Sequence, residues 1–106
     1  MKTYVFDLDN TLCYNEGEHL NYKSSKPHLD RIKIVNDLYE QGCKIIIDTA
    51  RGSETGINWF SITESQLKEW KLKYHVLRCG IKFAADVYVD DKAINDLNFF
   101  REHDEL

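Results

Sequence analysis

The apolar positions of the chain form short runs that alternate with longer amphipathic stretches. Residues 4–8 are apolar apart from one aspartate and are rich in strand-favouring types, which predicts a first buried strand. Pro27 suits the first turn of a helix, and apolar residues after it recur at roughly helical spacing until Gly42. Residues 43–47 then predict a second buried strand, followed by a turn at 49–55.

The same alternation continues in the second half of the chain. We predict a second helix at 61–73, a third strand at 74–77, a fourth strand at 87–89 and a closing helix at 93–100. Strands that alternate with helices imply right-handed βαβ crossovers and a mainly parallel sheet covered on both faces. The predicted fold is therefore α/β, with a three-layer α/β/α, Rossmann-like arrangement.

One polar segment, at 14–26, has no clear periodicity and predicts a loop or a small hairpin flap. With 106 residues the chain makes a single domain, 1–106, and the polar segment is too short to fold as a cap domain. We therefore expect any site at the sheet edge to be comparatively open.

Composition narrows the class of partner. The formal net charge is −4, which disfavours nucleic acid because binding a nucleic-acid backbone needs a concentrated basic face. No apolar run approaches the roughly 20 residues of a membrane span, and no secretory-signal pattern opens the sequence. The three cysteines form no C-x-x-C pair, so we expect reduced thiols in a cytoplasmic protein without a disulfide framework or a zinc site.

Two pairs of acidic residues stand at the carboxyl ends of predicted strands. Asp7 and Asp9 end the first strand, and Asp90 and Asp91 follow the fourth. Ligands of parallel α/β sheets collect outside the carboxyl ends of the strands, so we expect the two pairs to converge on one crevice. Buried carboxylates are costly unless a cation compensates them, and an oxygen-rich cluster favours Mg²⁺ over metals that prefer softer ligands.

A phosphate ester would be repelled by such a cluster unless donors and cations faced its oxygens. The Thr49 hydroxyl can donate a hydrogen bond from the turn after the second strand, and Arg51 can form a bidentate pair with phosphate. Lys82 lies in the loop before the fourth strand and can act as a point charge. These residue types at these places predict a site for a phosphorylated ligand.

Each of these residues also has a purely structural interpretation. The acids after the first strand would be a turn residue and a helix cap, and Asp90 or Asp91 would cap the last helix. Arg51 would pair with Asp48 or Glu54 on a solvated loop, and the lysine would be a surface residue.

Four motifs in order resemble those of the haloacid dehalogenase superfamily. The first is DLDNTL at 7–12, the second IDTAR at 47–51, the third Lys82 and the fourth VDD at 89–91. One departure is Asn10, where the superfamily often has glycine. Together the motifs span most of the chain, so the resemblance implies a haloacid-dehalogenase-like fold without a cap domain.

The resemblance also implies a mechanism. Asp7 would attack phosphorus to form an aspartyl-phosphate, and Asp9 would protonate the leaving oxygen and later activate water. Mg²⁺ would be held by Asp7, by the main-chain carbonyl of Asp9 and by one or both of Asp90 and Asp91. The residues assigned to the substrate phosphate are Thr49, Ala50, Arg51 and Lys82.

Within the superfamily, the TARG turn at 49–52 and the ending YVDDKAI at 88–94 resemble small phosphatases of bacterial capsule and surface-polysaccharide pathways. This implies a sugar phosphate or a related metabolite as substrate. An open site in this superfamily also suits a macromolecular substrate, or closure by another subunit of a homo-oligomer. The alternatives are a phosphatase acting on nucleic-acid 3′ ends or on phosphoproteins, and a non-catalytic phosphate-binding module on the same fold.

Overall fold

The computed structural model describes residues 2–16 and 21–104, over which short strands alternate with helices. None of the helices in these ranges has the length and apolar character needed to cross a membrane. The elements in chain order are β1 (Thr3–Phe6), β2 (Cys13–Tyr14), a 3₁₀ turn (Tyr22–Ser24), β3 (Lys26–Pro27), α1 (Leu29–Glu40), β4 (Lys44–Thr49), α2 (Phe60–Glu69), β5 (Val76–Cys79) and α3 (Asp96–Asp104).

β1, β4 and β5 form one parallel sheet in the order β1-β4-β5. β4 lies in the middle, with Ile47 beside Phe6 of β1 and Thr49 beside Cys79 of β5. α1 connects β1 to β4, and α2 connects β4 to β5, so both connections are helical crossovers. The predicted parallel α/β fold is confirmed at this level.

An apolar core lies where the helices pack on the sheet. α1 contributes Ile32, Val35 and Leu38 at helical spacing, and Leu67 of α2 is fully buried. Burial of this core keeps β1 and β4 paired side by side. Their carboxyl ends, where polar residues begin, therefore lie next to each other. The aromatic side chains that join β1 to α3 are Tyr4, Phe6, Phe99 and Phe100.

The fourth strand predicted at 87–89 is not formed. Residues 80–95 run from β5 to α3 without pairing with a strand, and the Val87 and Val89 side chains are 73% and 95% exposed. In the described sheet β1 lies at one edge, and α3 begins at Asp96 rather than at 93. A run of β-branched and aromatic residues indicates a preference for extended backbone, but it does not specify the partner strand that such a segment needs.

The segment predicted as a loop or hairpin flap, 14–26, is described except for residues 17–20, which lie outside the described ranges. β2 and β3 pair antiparallel, with Cys13 opposite Pro27, so the two ends of the segment form a small hairpin. Between them Tyr22 reaches the edge of the sheet where β1 and β4 end.

Candidate active site

A pocket of about 530 Å³ opens at the carboxyl ends of β1 and β4. Its wall combines the turn after β1, the turn after β4 and the loop after β5. Most of the residues predicted from sequence lie in this wall, as expected for a parallel sheet. They are Asp7, Asp9, Thr49, Ala50, Arg51 and Lys82.

Asp7 follows β1 directly, and its side chain is 40% exposed. Its Oδ1 accepts a hydrogen bond from Lys82 Nζ at 3.2 Å, and its Oδ2 accepts one from the Thr11 hydroxyl at 3.2 Å. The Lys82 ammonium also lies 4.9 Å from the centroid of the Tyr88 ring. A carboxylate held between two donors and still open to the pocket can approach a ligand as a nucleophile.

The chain turns after β1 through a non-glycine residue in the left-handed region. Asn10 has a φ of 65°, and its N–H donates to the Cys13 carbonyl at 2.7 Å. Asparagine adopts this conformation more readily than most residues, which accounts for its presence at this turn. The turn leaves the Asp9 side chain in contact with Arg51 at the end of the neighbouring strand.

Asp9 and Arg51 form a two-point ion pair. Arg51 Nε donates to Asp9 Oδ2 at 2.9 Å, and Arg51 Nη2 donates to Asp9 Oδ1 at 2.8 Å. The Arg51 side chain is 0% exposed and the Asp9 side chain 19%. A fork of this kind fixes both the position and the plane of a carboxylate. Of the two aspartates after β1, Asp9 is therefore the enclosed one, and Asp7 is the one open to the pocket.

The guanidinium of Arg51 is surrounded by protein acceptors. Nη1 donates to Thr63 Oγ1 at 3.0 Å and to Gln66 Oε1 at 2.6 Å, and Nη2 also donates to Ser25 Oγ at 3.2 Å. The Tyr22 ring covers its face, with 4.6 Å between the guanidinium carbon and the ring centroid. The five N–H groups are thus occupied within the protein.

These contacts correct the sequence-based interpretation of Arg51. Its N–H groups go to Asp9 and to its own surroundings, so its contacts do not support the predicted role in binding phosphate. The structural alternative, a pair with Asp48 or Glu54 on a solvated loop, does not describe them either, because the Arg51 side chain is 0% exposed and its N–H groups have other partners. No sequence pattern links Arg51 to a carboxylate 42 residues earlier in the chain.

Charge and burial shift pKa values around this ion pair. Burial would lower the pKa of Arg51, but the hydrogen bond and the negative charge of Asp9 outweigh burial and hold that pKa above its usual value. Burial, reinforced by the charge of Asp9, raises the pKa of the Cys13 thiol to about 12. Cys13 Sγ lies 3.4 Å from Asp9 Oδ1. Cys13 is therefore a neutral hydrogen-bond donor beside the site at physiological pH.

Thr49 ends β4 and is 1% exposed. Its Oγ1 accepts the main-chain N–H two residues later at 3.2 Å, and its hydroxyl hydrogen is a further donor. The turn that follows needs Gly52, because its φ is 89° and a Cβ there would lie 2.3 Å from the Ile57 carbonyl oxygen. Ser53 Oγ donates to the Lys82 carbonyl at 2.5 Å, so this turn also holds the loop that carries Lys82.

The second acidic pair does not join the first. Asp90 and Asp91 are exposed and do not line the pocket, and Asn95 rather than either aspartate caps α3. The main-chain N–H of Lys92 donates to Asp90 at 2.7 Å and lowers the pKa of that carboxyl. In the described part of the chain, no group of three or more His, Cys, Asp or Glu residues could hold a metal ion. The expected convergence is wrong for this structure because it depended on the strand at 87–89.

Sequence reasoning missed the residues of α2 and of the flap that surround Arg51. Thr63 and Gln66 are buried, and they share the core-facing side of α2 with Leu67. Gln66 Nε2 also donates to the Tyr22 carbonyl at 2.6 Å, which ties the flap to α2. The usable signal was the presence of polar residues at core positions of a predicted helix, since a buried polar side chain requires a partner.

The fold recurs in a crystal structure of an MCSG target from Vibrio cholerae. The two chains superpose with a TM-score of 0.81 and are 27% identical, over 94% of this chain and 88% of the other. No protein-family model and no curated protein matches the sequence. The chain therefore shares its α/β fold, over nearly its whole length, with this Vibrio cholerae protein.

Proposed function

We propose that the chain is a phosphomonoesterase of the haloacid dehalogenase type, with Asp7 as nucleophile and Asp9 as its acid/base partner. The observation that carries the proposal is the combination of an open carboxylate and an enclosed one, two residues apart at one strand end. Binding alone needs no proton-transfer partner, whereas a two-step displacement does. This combination favours catalysis over a non-catalytic phosphate-binding module.

In the proposed reaction Asp7 attacks the phosphorus of a monoester, and the bond to the leaving alcohol breaks with its electron pair on the alcohol oxygen. Asp9, as a carboxylic acid, gives that oxygen its proton. Water then attacks the phosphorus of the aspartyl-phosphate, Asp9 takes a proton from the water, and the bond to Asp7 breaks. Inorganic phosphate leaves, and both carboxyl groups return to their starting states. The covalent intermediate divides one difficult displacement into two easier ones.

The negative charge of the phosphoryl group requires donors in the same wall. Lys82 is suited to this role because its ammonium lies 3.2 Å from the proposed nucleophile. The Thr49 hydroxyl is a neutral donor on the neighbouring strand end, and Ala50 lines the wall beside it. We assign Lys82, Thr49 and Ala50 to the phosphoryl group and leave Arg51 out of that set.

Mg²⁺ is the proposed cofactor, and the residues of the pocket fit it only in part. Asp7 offers one carboxylate and Asp9 a main-chain carbonyl, but Asp90 and Asp91 do not line the pocket. Protein sites for Mg²⁺ commonly combine one or two carboxylates with water and substrate phosphate. Residues 84–86 and Tyr88 of the loop after β5 already line the pocket, and Asp86 brings a further carboxylate to its wall. We therefore propose that Asp90 or Asp91, later in the same loop, would complete the donor set.

Calorimetric titration with Mg²⁺ tests the proposed donor set in wild type, Asp90→Asn and Asp91→Asn. Weaker binding in one variant would assign that aspartate to the metal. Equal binding in all three proteins would remove both aspartates from the proposed site.

The remaining parts of the proposal follow the sequence resemblance. They are a three-layer haloacid-dehalogenase-like fold without a cap domain, a cytoplasmic location, and a sugar phosphate or related metabolite of capsule or surface-polysaccharide biosynthesis as substrate. The exposure of Asp7 supports an open site, which another subunit of a homo-oligomer would close. The net charge of −4 supports a small ligand over nucleic acid.

Phosphate release from a panel of monoesters, measured with Mg²⁺ and with EDTA, tests the function. The panel should include sugar phosphates, 4-nitrophenyl phosphate, a phosphopeptide and an oligonucleotide 3′-phosphate. Asp7→Asn is the test variant, and Asp48→Asn is its matched control because Asp48 also lies near the carboxyl end of a strand beside a cation but does not line the pocket. We expect release by wild type and Asp48→Asn, and a loss of at least about 10³-fold in Asp7→Asn. Equal release by Asp7→Asn would contradict the proposal.

A further inference from the structure

We propose that Arg51 is the positioning residue for proton transfer by Asp9, and that Oδ2 of Asp9 is the oxygen that carries the proton. This role rests on the proposed function, and it replaces the phosphate-binding role that the sequence predicted for Arg51. It starts from the two-point contact between the side chains, at 2.9 Å and 2.8 Å.

The guanidinium is itself held in place, so it can dictate the orientation of the carboxylate. Thr63 and Gln66 of α2 accept from Nη1, and Ser25 of the flap accepts from Nη2. The Tyr22 ring covers the face of the guanidinium at 4.6 Å. Three separate parts of the chain, namely the turn after β4, the flap and α2, thus meet at Arg51. A supporting shell of this kind limits the positional freedom of a catalytic group.

The two oxygens of Asp9 have different surroundings. Oδ1 accepts from Arg51 Nη2, from Asn15 Nδ2 at 3.1 Å and from Cys13 Sγ at 3.4 Å. Among the described residues, Oδ2 accepts from Arg51 Nε alone. A carboxylate oxygen has two lone pairs, so Oδ1 is fully engaged whereas Oδ2 keeps one lone pair for a proton. The structure therefore anchors one oxygen and leaves the other available for transfer.

Position matters here because proton transfer requires close approach along a narrow range of directions. Replacing Arg51 with lysine keeps the positive charge but replaces the two-point fork with a single point. A loss in Arg51→Lys thus reports geometry rather than charge. Arg78→Lys is the matched control, because Arg78 also contacts both oxygens of a carboxylate, at 3.3 Å and 3.2 Å, outside the pocket.

The experiment compares kcat/KM for two substrates that differ in their need for an acid. The alcohol of glycerol 2-phosphate must be protonated as it leaves, whereas 4-nitrophenolate leaves readily without a proton. The ratio kcat/KM reports the steps through departure of the leaving group. We expect Arg51→Lys to lower kcat/KM about 100-fold for glycerol 2-phosphate and less than about 10-fold for 4-nitrophenyl phosphate. Arg78→Lys should match wild type on both substrates.

A second variant keeps the role of Arg51 testable if Arg51→Lys does not fold. Thr63→Val removes one acceptor of the guanidinium with little change of shape, and it should lower kcat/KM by a smaller factor but again more for glycerol 2-phosphate. Thermal unfolding monitors the fold of each variant. Equal losses on the two substrates in folded variants, or no loss, would overturn the role of Arg51. Inactive wild type would instead refute the proposed function, and equal losses in Asp9→Asn would refute the acid role of Asp9.

Discussion

Two arginine–carboxylate pairs have similar geometry but differ in solvent exposure and in the side chains that surround the arginine. Arg51 contacts both oxygens of Asp9 with 0% exposure of the arginine side chain, whereas Arg78 contacts both oxygens of Asp48 with 48% exposure. Around the buried guanidinium the chain supplies hydroxyl and amide acceptors and an aromatic face, which the exposed one does not need because water solvates it. The comparison shows how much surrounding structure a buried charge requires.

The largest expected difference follows from removing each arginine. Arg51→Met leaves Asp9 and the acceptors of α2 without their partner, and we expect a loss of about 3–5 kcal/mol in the free energy of unfolding. Arg78→Met removes a solvent-screened pair and should cost no more than about 1 kcal/mol. Urea denaturation of the two variants measures both values. Similar losses in both would mean that burial of the first pair has no energetic consequence.

A smaller effect follows from removing one acceptor of the buried guanidinium. Thr63→Val leaves an N–H of Arg51 with one partner fewer, so we expect a loss of about 1–3 kcal/mol. Thr3→Val changes an exposed threonine of β1 in the same way and should stay within about 0.5 kcal/mol of wild type. A Thr63→Val protein as stable as the Thr3→Val control would show that the Thr63 hydroxyl is dispensable.

Burial of the Cys13 thiol beside this pair should also make stability sensitive to alkaline pH. The folded pKa of this thiol, about 12, lies above its ordinary value near 9, so its contribution to stability is complete below about pH 9 and is lost as the pH rises toward 12. At pH 10 we expect wild type to have lost about 1 kcal/mol more, relative to pH 7, than Cys13→Ser. Parallel pH profiles for the two proteins would refute the buried, neutral thiol.

The smallest expected effect is the response of each pair to salt. In double-mutant cycles, raising the ionic strength from about 0.05 to about 0.5 M should reduce the Arg78–Asp48 coupling, which starts below about 1 kcal/mol. The Arg51–Asp9 coupling should change less, because burial limits screening. Comparable salt dependence of the two couplings would mean that ions reach both pairs equally.

The sequence predicted the parts of the site that depend on strand ends. Two apolar runs pair as parallel neighbours, and such strands place their carboxyl ends at one edge of the sheet. This is why the sequence could predict that Asp7, Asp9 and Thr49 lie in one pocket. Lys82 reaches the same pocket from the loop after β5. The alternation of strands and helices likewise predicted the parallel sheet, because each crossover helix repeats the same local pattern.

The sequence-based predictions that were wrong depend on contacts between segments that are distant in the chain. Val87 and Val89 favour extended backbone, but a strand also needs a partner, which local preference does not supply. Arg51 carries a charge that suits phosphate and carboxylate equally, and only the fold selects Asp9. Gln66 shows the same limit, since its partners lie on the flap and on the turn after β4.

The most direct test of the account is to detect the covalent intermediate. Rapidly quenched reactions with 4-nitrophenyl phosphate, digested and analysed by peptide mass spectrometry, should show one phosphoryl group on Asp7 in wild type and in Asp48→Asn. The account predicts no such modification in Asp7→Asn. Phosphate release by wild type with no phosphoryl group on Asp7, or with the group on another residue, would contradict the central claim that Asp7 is the nucleophile.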